Sequence, residues 1–534
     1  MDINTVLDKV QAEGLNGGLN GHVGGISCDS REIEKGGMFF AVRGTHSDGH
    51  DFIAHAVKKG ARWIVYDRDV APEALNSKDV QMLRVPDVTL AMAHIAANYY
   101  GHPARSMKLI GITGTNGKTT TSYLLRSILQ AYDKKTGLIG TIHHMIGDNS
   151  YRSSHTTPQA PEFQRYLRLM YDEGCQYVIS EVSSHALAQR RVDATAFDAA
   201  VFTNLTRDHL DYHRDMEDYF NAKRRLFTEL LNPQATAVIN TDDDYGIALC
   251  SQLREAGVSR HNKERDTISY GITTRADIMA SDIEKTPDGL AFRLHHDGEI
   301  YSVRSNLRGY VNVYNILGAF ATALTLDIPV DVILRGIALL SGVRGRLEAV
   351  QRGQGFYVFI DYAHTSDALD NLIRGVRKLY TGRIITVFGC GGNRDAGKRP
   401  IMGSIATTLS DFTFITNDNP RNEDPIDIIN QIKSGVAGSR PGATCSGKDY
   451  DIEPDRREAI KKAIHMAEAG DVVLIAGKGH ETYQEVTGVR YPFDDREVAQ
   501  VFIDERLGEQ RHPGGDELPT HGPVSSQTES RCFQ

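Results

Sequence analysis

Hydrophobic and polar positions along the middle of this chain alternate in a way that predicts strands and helices in turn. Apolar runs at 109–113, 177–180, 199–203 and 237–240 are separated by stretches with helical apolar spacing. Such alternation favours a mostly parallel sheet that is covered by helices, with ligands at the carboxyl ends of the strands. Two Asp-Gly turn signals within 287–298 bracket alternating segments, which predicts hairpin strands near the end of this region.

The pattern predicts three α/β domains and a tail. Residues 1–105 carry short strand-like runs between glycine-rich turns and are expected to form a small first domain. Residues 106–342 are predicted to form a central parallel-sheet domain, and residues 343–507 a second open α/β sheet of Rossmann-like type. Residues 508–534 are too polar to bury a core, so we expect a disordered tail.

Composition narrows the choice of partner and compartment. Lys and Arg total 60 against 69 Asp and Glu, so the chain has no basic field for nucleic acid or a membrane surface. Its six cysteines are scattered without C-x-x-C spacing, which favours a reducing compartment. Neither a signal peptide nor a run of about 18 apolar residues occurs. We expect a cytoplasmic monomer that binds small molecules.

A glycine-rich turn is the strongest chemical signal. Residues 111–120 read Gly-Ile-Thr-Gly-Thr-Asn-Gly-Lys-Thr-Thr and join an apolar strand to the start of a helix. Backbone N–H groups in such a turn bind phosphate, while Lys118 reaches the outer phosphates and Thr119 can ligate Mg²⁺. The strict P-loop pattern has glycine where this chain has Ile112. The turn therefore predicts a nucleoside triphosphate site of an unusual subfamily.

Three further polar positions follow this turn. Glu181 comes directly after the run at 177–180, where a P-loop enzyme needs a second residue on the magnesium side. Residues 208–213 hold two His and two Asp, which fits either a metal site or a solvated loop. Lys223 lies on a predicted helix, where a lysine is usually a surface charge.

Six motifs resemble, in order, the signature of the Mur ligase family. They are 114–119, 181–185, 204 with 208–211, 312–315, 345–346 and 361–364. The resemblance covers nearly the whole chain, from 29–31 to 477–481. It implies a ligase that uses ATP to join meso-2,6-diaminopimelate to UDP-N-acetylmuramoyl-L-alanyl-D-glutamate, a peptidoglycan precursor. The γ-phosphate would pass to the free D-glutamate carboxylate, and the diaminopimelate amine would attack the resulting acyl phosphate.

The resemblance also implies roles for individual residues around ATP and magnesium. The residues expected around ATP are Gly114, Thr115, Asn116, Gly117, Lys118, Thr119, Thr120, Asn204, Asn312, Asn315, Arg346, Asp361 and His364. The residues expected around Mg²⁺ are Thr119, Glu181, His209 and Lys223. Lys223 matches a carbamylated lysine of the family, and carbamylation turns this cation into an anion that can bridge to a second Mg²⁺. Lys118, Lys223 and His209 are the catalytic candidates.

The other two substrates are expected at separate sets of residues. The UDP-sugar set is Ser30, Thr156, Thr157, Ser184 and Arg191. The diaminopimelate set is Arg394, Asp418, Asn419, Pro420, Arg421, Gly477 and Glu481. Diaminopimelate has a second carboxylate that lysine lacks, and the Arg421 guanidinium can pair with it in bidentate fashion, while Glu481 would meet an ammonium. The alternative for Arg421 is that it only anchors its own loop.

Three other functions stay open at this point. A lysine-adding homologue should lack an arginine at position 421, and a folylpolyglutamate synthetase would lack the first domain. A P-loop binding or switch protein would release phosphate without needing an amino acid. A ligase needs ATP, the UDP-sugar dipeptide and the amino acid together.

Overall fold

The first of three sheets lies in the N-terminal part of the chain. A computed structural model describes the chain except residues 15–18, 45–46, 70–78, 154, 260–266, 287, 437–448 and 512–534. The strands of this sheet are β1 (Glu13–Gly14), β2 (Ile26–Ser27), β3 (Met38–Phe40), β4 (Trp63–Tyr66) and β5 (Gln81–Arg84). The helices are α1 (Ile3–Val6), α2 (Ile53–Lys59) and α3 (Val88–Tyr99). Strand order is β1-β5-β4-β3-β2, and all pairs are parallel except β1 with β5.

The central sheet is the largest. Its strands are β6 (Lys108–Thr113), β7 (Thr136–Ile139), β8 (His143–Ile146), β9 (Asn149–Arg152), β10 (Tyr177–Glu181), β11 (Phe197–Phe202), β12 (Leu231–Asn240), β13 (Thr267–Gly271), β14 (Ile278–Lys285), β15 (Leu290–His296) and β16 (Glu299–Ser305). Its helices are α4 (Lys118–Ala131), α5 (Ala160–Asp172), α6 (Ser184–Ala188), α7 (Met216–Thr228), α8 (Asp244–Ser259), α9 (Val311–Thr325) and α10 (Val330–Leu339). The strand order is β16-β15-β14-β13-β12-β11-β6-β10-β7-β8-β9.

Helices cover both faces of the central sheet. On one face, the apolar positions of α4, such as Leu124 and Ile128, pack with Phe320 of α9 in one buried cluster. On the other face, Leu167 of α5 and Phe227 of α7 belong to a second cluster. The strands from β14 to β7 are parallel, so the segments that follow β6, β10, β11 and β12 meet at one edge of the sheet.

The third sheet is another open α/β sheet. Its strands are β17 (Glu348–Ala349), β18 (Tyr357–Asp361), β19 (Ile384–Phe388), β20 (Phe412–Ile415), β21 (Tyr450–Ile452) and β22 (Val472–Ala476), in the order β17-β18-β22-β19-β20-β21. Its helices are α11 (Ser366–Leu379), α12 (Lys398–Leu409), α13 (Pro425–Val436), α14 (Arg456–Met466) and α15 (Asp495–Arg511). A separate hairpin consists of β23 (Tyr483–Val486) and β24 (Val489–Pro492).

The predicted fold class is confirmed, and the details differ at the edges of the central sheet. The predicted hairpin strands are β14 to β16, and they continue the central sheet in antiparallel fashion. Strands β8 and β9 form an antiparallel edge on the other side, which the strand-helix alternation did not predict. The domain limits at 105 and 342 stay predictions. Helix α15 reaches Arg511, and the rest of the predicted tail lies outside the described residues.

No helix in the described part of the chain is both long enough and apolar enough to cross a membrane.

A buried ion pair holds the carboxyl edge of the third sheet. Arg456, at the start of α14, pairs with Asp495, at the start of α15, at 2.7 Å, and both side chains are fully buried. The guanidinium also donates to the Ala476 carbonyl at 3.0 Å and the Asn417 carbonyl at 3.3 Å. Removing one member of such a pair leaves a buried charge without a partner.

We therefore predict that Arg456→Ala destabilises the third domain by about 3–5 kcal/mol. The double variant Arg456→Met with Asp495→Leu should recover much of this loss, because it removes both charges. Arg352→Ala is the matched control, since Arg352 and Asp504 form a half-exposed ion pair in the same domain, and such surface pairs contribute little to stability. Chemical denaturation of each variant measures the change. Equal losses for Arg456→Ala and the double variant would contradict the explanation.

Candidate active site

The glycine-rich loop between β6 and α4 needs glycine for steric reasons. Gly114 has φ +144° and Gly117 has φ +88°, a region of backbone conformation that favours glycine. A Cβ on Gly114 would overlap the Thr203 hydroxyl oxygen, and one on Gly117 would overlap the Asn315 amide oxygen. The loop therefore lies in direct contact with the segment after β11 and with helix α9.

The segment after β11 holds this loop in place. The Thr115 N–H donates to the Asn204 carbonyl at 2.9 Å, and the Asn116 N–H donates to Asn204 Oδ1 at 2.9 Å. The Thr203 hydroxyl donates to the Asn116 carbonyl at 2.6 Å. These bonds fix the backbone at the amino end of α4, where the helix dipole favours an anion.

A cavity of about 540 Å³ opens over the loop, and we call it the first cavity. Nearly all residues predicted around ATP line it: Thr115, Asn116, Gly117, Lys118, Thr119, Thr120, Asn204, Asn312, Asn315, Arg346, Asp361 and His364. Gly114 is in the loop but does not line the cavity. The volume is in the range of small-molecule sites.

Two lysines meet below the loop. Lys118 Nζ donates to the Gly114 carbonyl at 2.8 Å and the Thr115 carbonyl at 2.9 Å. Lys223 Nζ donates to the same Gly114 carbonyl at 2.8 Å and is only 1% exposed, so Lys223 is not a surface charge. Burial lowers the pKa of both amines, and the neighbouring Lys118 cation lowers the pKa of Lys223 further. A lowered pKa increases the fraction of neutral, nucleophilic amine.

Oxygen donors surround Glu181 at the end of β10. Its buried carboxylate accepts the Thr119 hydroxyl at 2.9 Å, the Thr141 hydroxyl at 2.8 Å and the Thr141 N–H at 3.1 Å. Carboxylate and hydroxyl oxygens are hard donors, so this set fits Mg²⁺. Among the described residues, no group of three or more His, Cys, Asp and Glu side chains could hold a metal ion by itself.

His209 lines both the first cavity and a neighbouring one, as Thr141 does. It has φ +56°, and its Nε2 is 3.4 Å from the Asp208 carboxylate. Its ring contacts that of His185, with centroids 4.8 Å apart. The segment 208–213 therefore contains a His–Asp pair and a histidine ring in contact with His185, and its assignment as a metal site or a solvated loop stays a prediction.

The third domain completes the first cavity. Arg346 Nη2 donates to the Thr119 hydroxyl at 3.2 Å, and Asn116 Nδ2 donates to Asp367 at 3.2 Å. Asp361 accepts the backbone N–H groups of Leu347 and Ala363, and burial raises its pKa. The central and third domains are thus in contact across the first cavity.

A second cavity of about 1300 Å³ adjoins the first. Both cavities are lined by Thr141, Thr156, Asp208, His209, Tyr362 and His364. Of the predicted diaminopimelate set, the residues that line the second cavity are Arg394, Asp418, Asn419, Arg421, Gly477 and Glu481. Pro420 does not line it.

Residues after β20 and β22 form one polar cluster in the second cavity. Asn419 Nδ2 donates to Glu481 at 2.8 Å, and a Cβ on Gly477 would overlap the Asp418 carboxylate. Burial and the nearby Asp418 raise the pKa of Glu481. Arg421 has φ +53°, and its guanidinium donates to the Gly392 carbonyl at 2.8 Å. Arg421 thus both lines the cavity and contacts a neighbouring loop.

The residues predicted for the UDP-sugar do not all meet. Thr156, Thr157 and Arg191 line the second cavity, and Arg191 donates to the Thr157 carbonyl at 2.8 Å. Ser184 is buried beneath it, with its hydroxyl 3.0 Å from His213 Nε2. Ser30 is buried in the first domain, 2.9 Å from His55 Nδ1, and lines neither cavity.

Two residues were not identified from the sequence: Asp242, which lines the first cavity, and Lys478, which lines neither cavity. Asp242 accepts three backbone N–H groups of 272–274 and the Tyr314 hydroxyl, which lowers its pKa to about 2. It follows β12, so the rule that polar residues after parallel strands face a ligand could have identified it. Lys478 is fully buried beside Glu481, and no sequence pattern marks a buried lysine.

Models of one protein family match most of the chain. Three family models match in succession: "Mur ligase family, catalytic domain" at 22–100, "Mur ligase middle domain" at 112–323, and "Mur ligase, glutamate ligase domain" at 345–479.

Similar proteins cover almost the full chain. UDP-N-acetylmuramoyl-L-alanyl-D-glutamate--2,6-diaminopimelate ligase of Geobacter sulfurreducens is 44% identical over 93% of this chain and 97% of its own. The ligase of the same name from Geobacillus kaustophilus is 43% identical over 95% of this chain and 100% of its own. A solved structure of a ligase with this name is 30% identical, with a TM-score of 0.66 over 95% of this chain and 99% of its own. The chain belongs to the Mur ligase family.

Proposed function

We propose that the protein uses ATP to join diaminopimelate to UDP-N-acetylmuramoyl-L-alanyl-D-glutamate, which yields the tripeptide precursor of peptidoglycan. The observation that carries this proposal is the continuity of the two cavities. A glycine-rich loop suited to phosphate opens into a space lined by both cations and carboxylates. The residues at the junction, including His209 and His364, line both cavities. A phosphoryl group, a carboxylate and an amine can therefore meet there.

The chemistry balances in two steps. In the first, an oxygen of the D-glutamate side carboxylate attacks the γ-phosphorus of ATP, and the bond from that phosphorus to the bridging oxygen of ADP breaks. In the second, the diaminopimelate amine attacks the acyl carbon, a C–N bond forms, phosphate leaves and the amine loses a proton. Lys118 offers positive charge at the loop, and Arg346 brings a guanidinium to Thr119 from the third domain.

Magnesium fits the residues around Glu181. We infer that Thr119 and Glu181 would hold one ion, and that His209 and a carbamylated Lys223 would complete the magnesium environment. A bound Mg²⁺ supplies positive charge that neutralises the phosphate oxygens during transfer. Lys223 suits carbamylation, because its buried amine has a lowered pKa and, within the described part of the chain, a backbone carbonyl as its single hydrogen-bond acceptor.

The remaining assignments belong to the same proposal. The UDP-sugar would extend from Thr156, Thr157 and Arg191 towards the first domain, where Ser30 lies. We also propose that the protein acts in the cytoplasm as a monomer. The four described cysteines form no disulfide, which supports a reducing compartment.

Phosphate release tests the function directly. We expect release only when ATP, the UDP-sugar dipeptide and diaminopimelate are all present, with the tripeptide product found by mass spectrometry. Lysine in place of diaminopimelate should support little release. Release without any amino acid would indicate a nucleotide switch, and equal use of lysine would indicate a lysine-adding ligase.

Lys223→Ala should lower turnover by about a hundredfold or more, because no other side chain can carry the carbamate at that place. Nucleotide affinity should largely survive, and added bicarbonate should not restore turnover. With isotope-labelled bicarbonate, NMR should detect a carbamate in the wild type and not in the variant.

Lys135→Ala is the matched control, since Lys135 is an exposed lysine of the central domain that pairs with Glu173. It should keep both turnover and the carbamate signal. Wild-type turnover of Lys223→Ala at saturating Mg²⁺ would disprove the role of the carbamate.

Arg421→Ala should raise the KM for diaminopimelate selectively. Losing a bidentate charged partner in a cavity costs roughly 2–5 kcal/mol, which is some thirtyfold to several thousandfold in kcat/KM. The KM values for ATP and the UDP-sugar dipeptide should change little. Lysine has no second carboxylate, so its already poor use should fall much less.

Arg374→Ala serves as the control, because Arg374 is an exposed arginine of α11 that pairs with Asp370. If Arg421→Ala harms diaminopimelate and lysine equally, the Gly392 contact is its main role and Arg421 does not read the substrate.

A further inference from the structure

Lys478 is a fully buried lysine that the proposed mechanism does not use. It follows β22 and is 0% exposed. Its Nζ lies 3.1 Å from Asn419 Oδ1, 3.3 Å from Glu481 Oε2 and 4.0 Å from Asp418 Oδ1. All three partners belong to the set expected around diaminopimelate and line the second cavity. Burying an ammonium group costs free energy unless charged or polar partners compensate for the lost water. Lys478 has partners of both kinds.

Two ion pairs flank this cluster, and Arg346 and His480 contact the ring of Tyr362 beside it, where burial lowers the pKa of His480. Arg456 is paired with Asp495 behind the cluster, and Arg490 lies 3.7 Å from Glu485 on the neighbouring hairpin. Tyr362 and Tyr483 face the cluster as neutral phenols whose pKa is raised by burial. Asp418, Glu481 and Lys478 therefore leave one net negative charge, and Arg421 stands beside them in the same cavity wall.

We infer that Lys478 is a positioning residue for the incoming amino acid. It holds Glu481 and Asn419 in place, and its positive charge leaves the cluster with one net negative charge, which matches one ammonium of the substrate. This inference rests on the proposed function. A cluster of two carboxylates without Lys478 would carry two negative charges in a buried site, where like charges favour protonation of one of them. A protonated carboxyl group is a poorer partner for an ammonium.

Lys478 and Arg421 would act on different groups of the incoming amino acid. Arg421 would read the second carboxylate, so its loss separates diaminopimelate from lysine. Lys478 would act on the recognition of an ammonium, which both amino acids carry. Loss of Lys478 should therefore weaken both amino acids in similar proportion, while ATP and the UDP-sugar dipeptide are bound as before.

The pH dependence follows from the same cluster. Burial and Asp418 raise the pKa of Glu481, while Lys478 and Asn419 lower it. Removing Lys478 raises this pKa further, so the carboxyl is protonated over a wider pH range. The penalty is then largest at low pH, where the proton is bound, and decreases as rising pH removes it.

The experiment compares Lys478→Met with the wild type by phosphate release from about pH 6 to about pH 9. We expect the KM for diaminopimelate to rise roughly tenfold or more at neutral pH. The ratio of variant KM to wild-type KM should fall severalfold towards the alkaline end. The kcat at saturating amino acid and the KM for ATP should change much less. Lys478→Arg keeps the cation and should restore the wild-type pH profile.

Lys462→Met is the matched control, because Lys462 is a half-exposed lysine of the same domain that pairs with Glu453 at the surface. It should leave every KM and the pH profile unchanged. If Lys478→Met does not fold, Lys478→Gln carries the same test with a neutral donor. Failure of both neutral variants to fold would show that Lys478 stabilises the domain and not the substrate cluster, and would overturn the inference.

Failure of the role of Lys478 and failure of the proposed function would give different results. A KM ratio that does not vary with pH, or a loss confined to kcat, would overturn the role of Lys478 while the wild type still needs an amino acid for phosphate release. A wild type that releases phosphate without an amino acid would instead overturn the proposed function itself.

Discussion

Close contact between the glycine-rich loop and its neighbours is the constraint on which the whole site depends. A side chain at Gly114 or Gly117 would overlap Thr203 or Asn315, so the loop, the segment after β11 and helix α9 can pack only as one unit. This unit points the N–H groups at the start of α4 into the first cavity. Three motifs that are far apart in sequence therefore form a single surface that suits a phosphate, and a change in any of them would move the other two.

The third domain extends this surface across a domain boundary. Arg346 contacts Thr119 and Asp367 contacts Asn116, so the groups that would meet phosphate come from both domains. The buried Arg456–Asp495 pair holds the carboxyl ends of β20 and β22 through the carbonyls of Asn417 and Ala476. Those strand ends carry the second cavity's polar cluster. The stability of the third domain and the geometry of this polar cluster are thus coupled through the same guanidinium.

The sequence was most informative about site residues that directly follow a parallel strand. Parallel strands end at a common edge, so Glu181 and the segment at 204 could be placed near the loop from the alternation of strands and helices alone. The antiparallel edge of β8 and β9 was missed because short strands with polar residues give a weak signal. The sequence also did not show which individual charged side chains are buried. In the sequence, Lys223 has the position of a surface residue on an amphipathic helix, but tertiary packing buries it below the loop. Ser30 and Ser184 are likewise buried, each beside a histidine.

The lysines of the site differ in what surrounds them, and this difference separates their chemistry. Lys118 and Lys223 donate to backbone carbonyls, and burial lowers the pKa of both. Lys118 has no carboxylate as a hydrogen-bond partner among the described residues, so its cation would be stabilised by an arriving phosphate. Carbamylation of Lys223 instead needs the neutral amine, which a lowered pKa favours. Lys478 already has Glu481 within 3.3 Å and Asp418 at 4.0 Å, so it has little to gain from an incoming anion. Its effect is instead to leave its carboxylates with a single unbalanced charge. The same type of side chain thus suits anion binding at Lys118 and would support recognition of an ammonium at Lys478, because burial and neighbours decide its role.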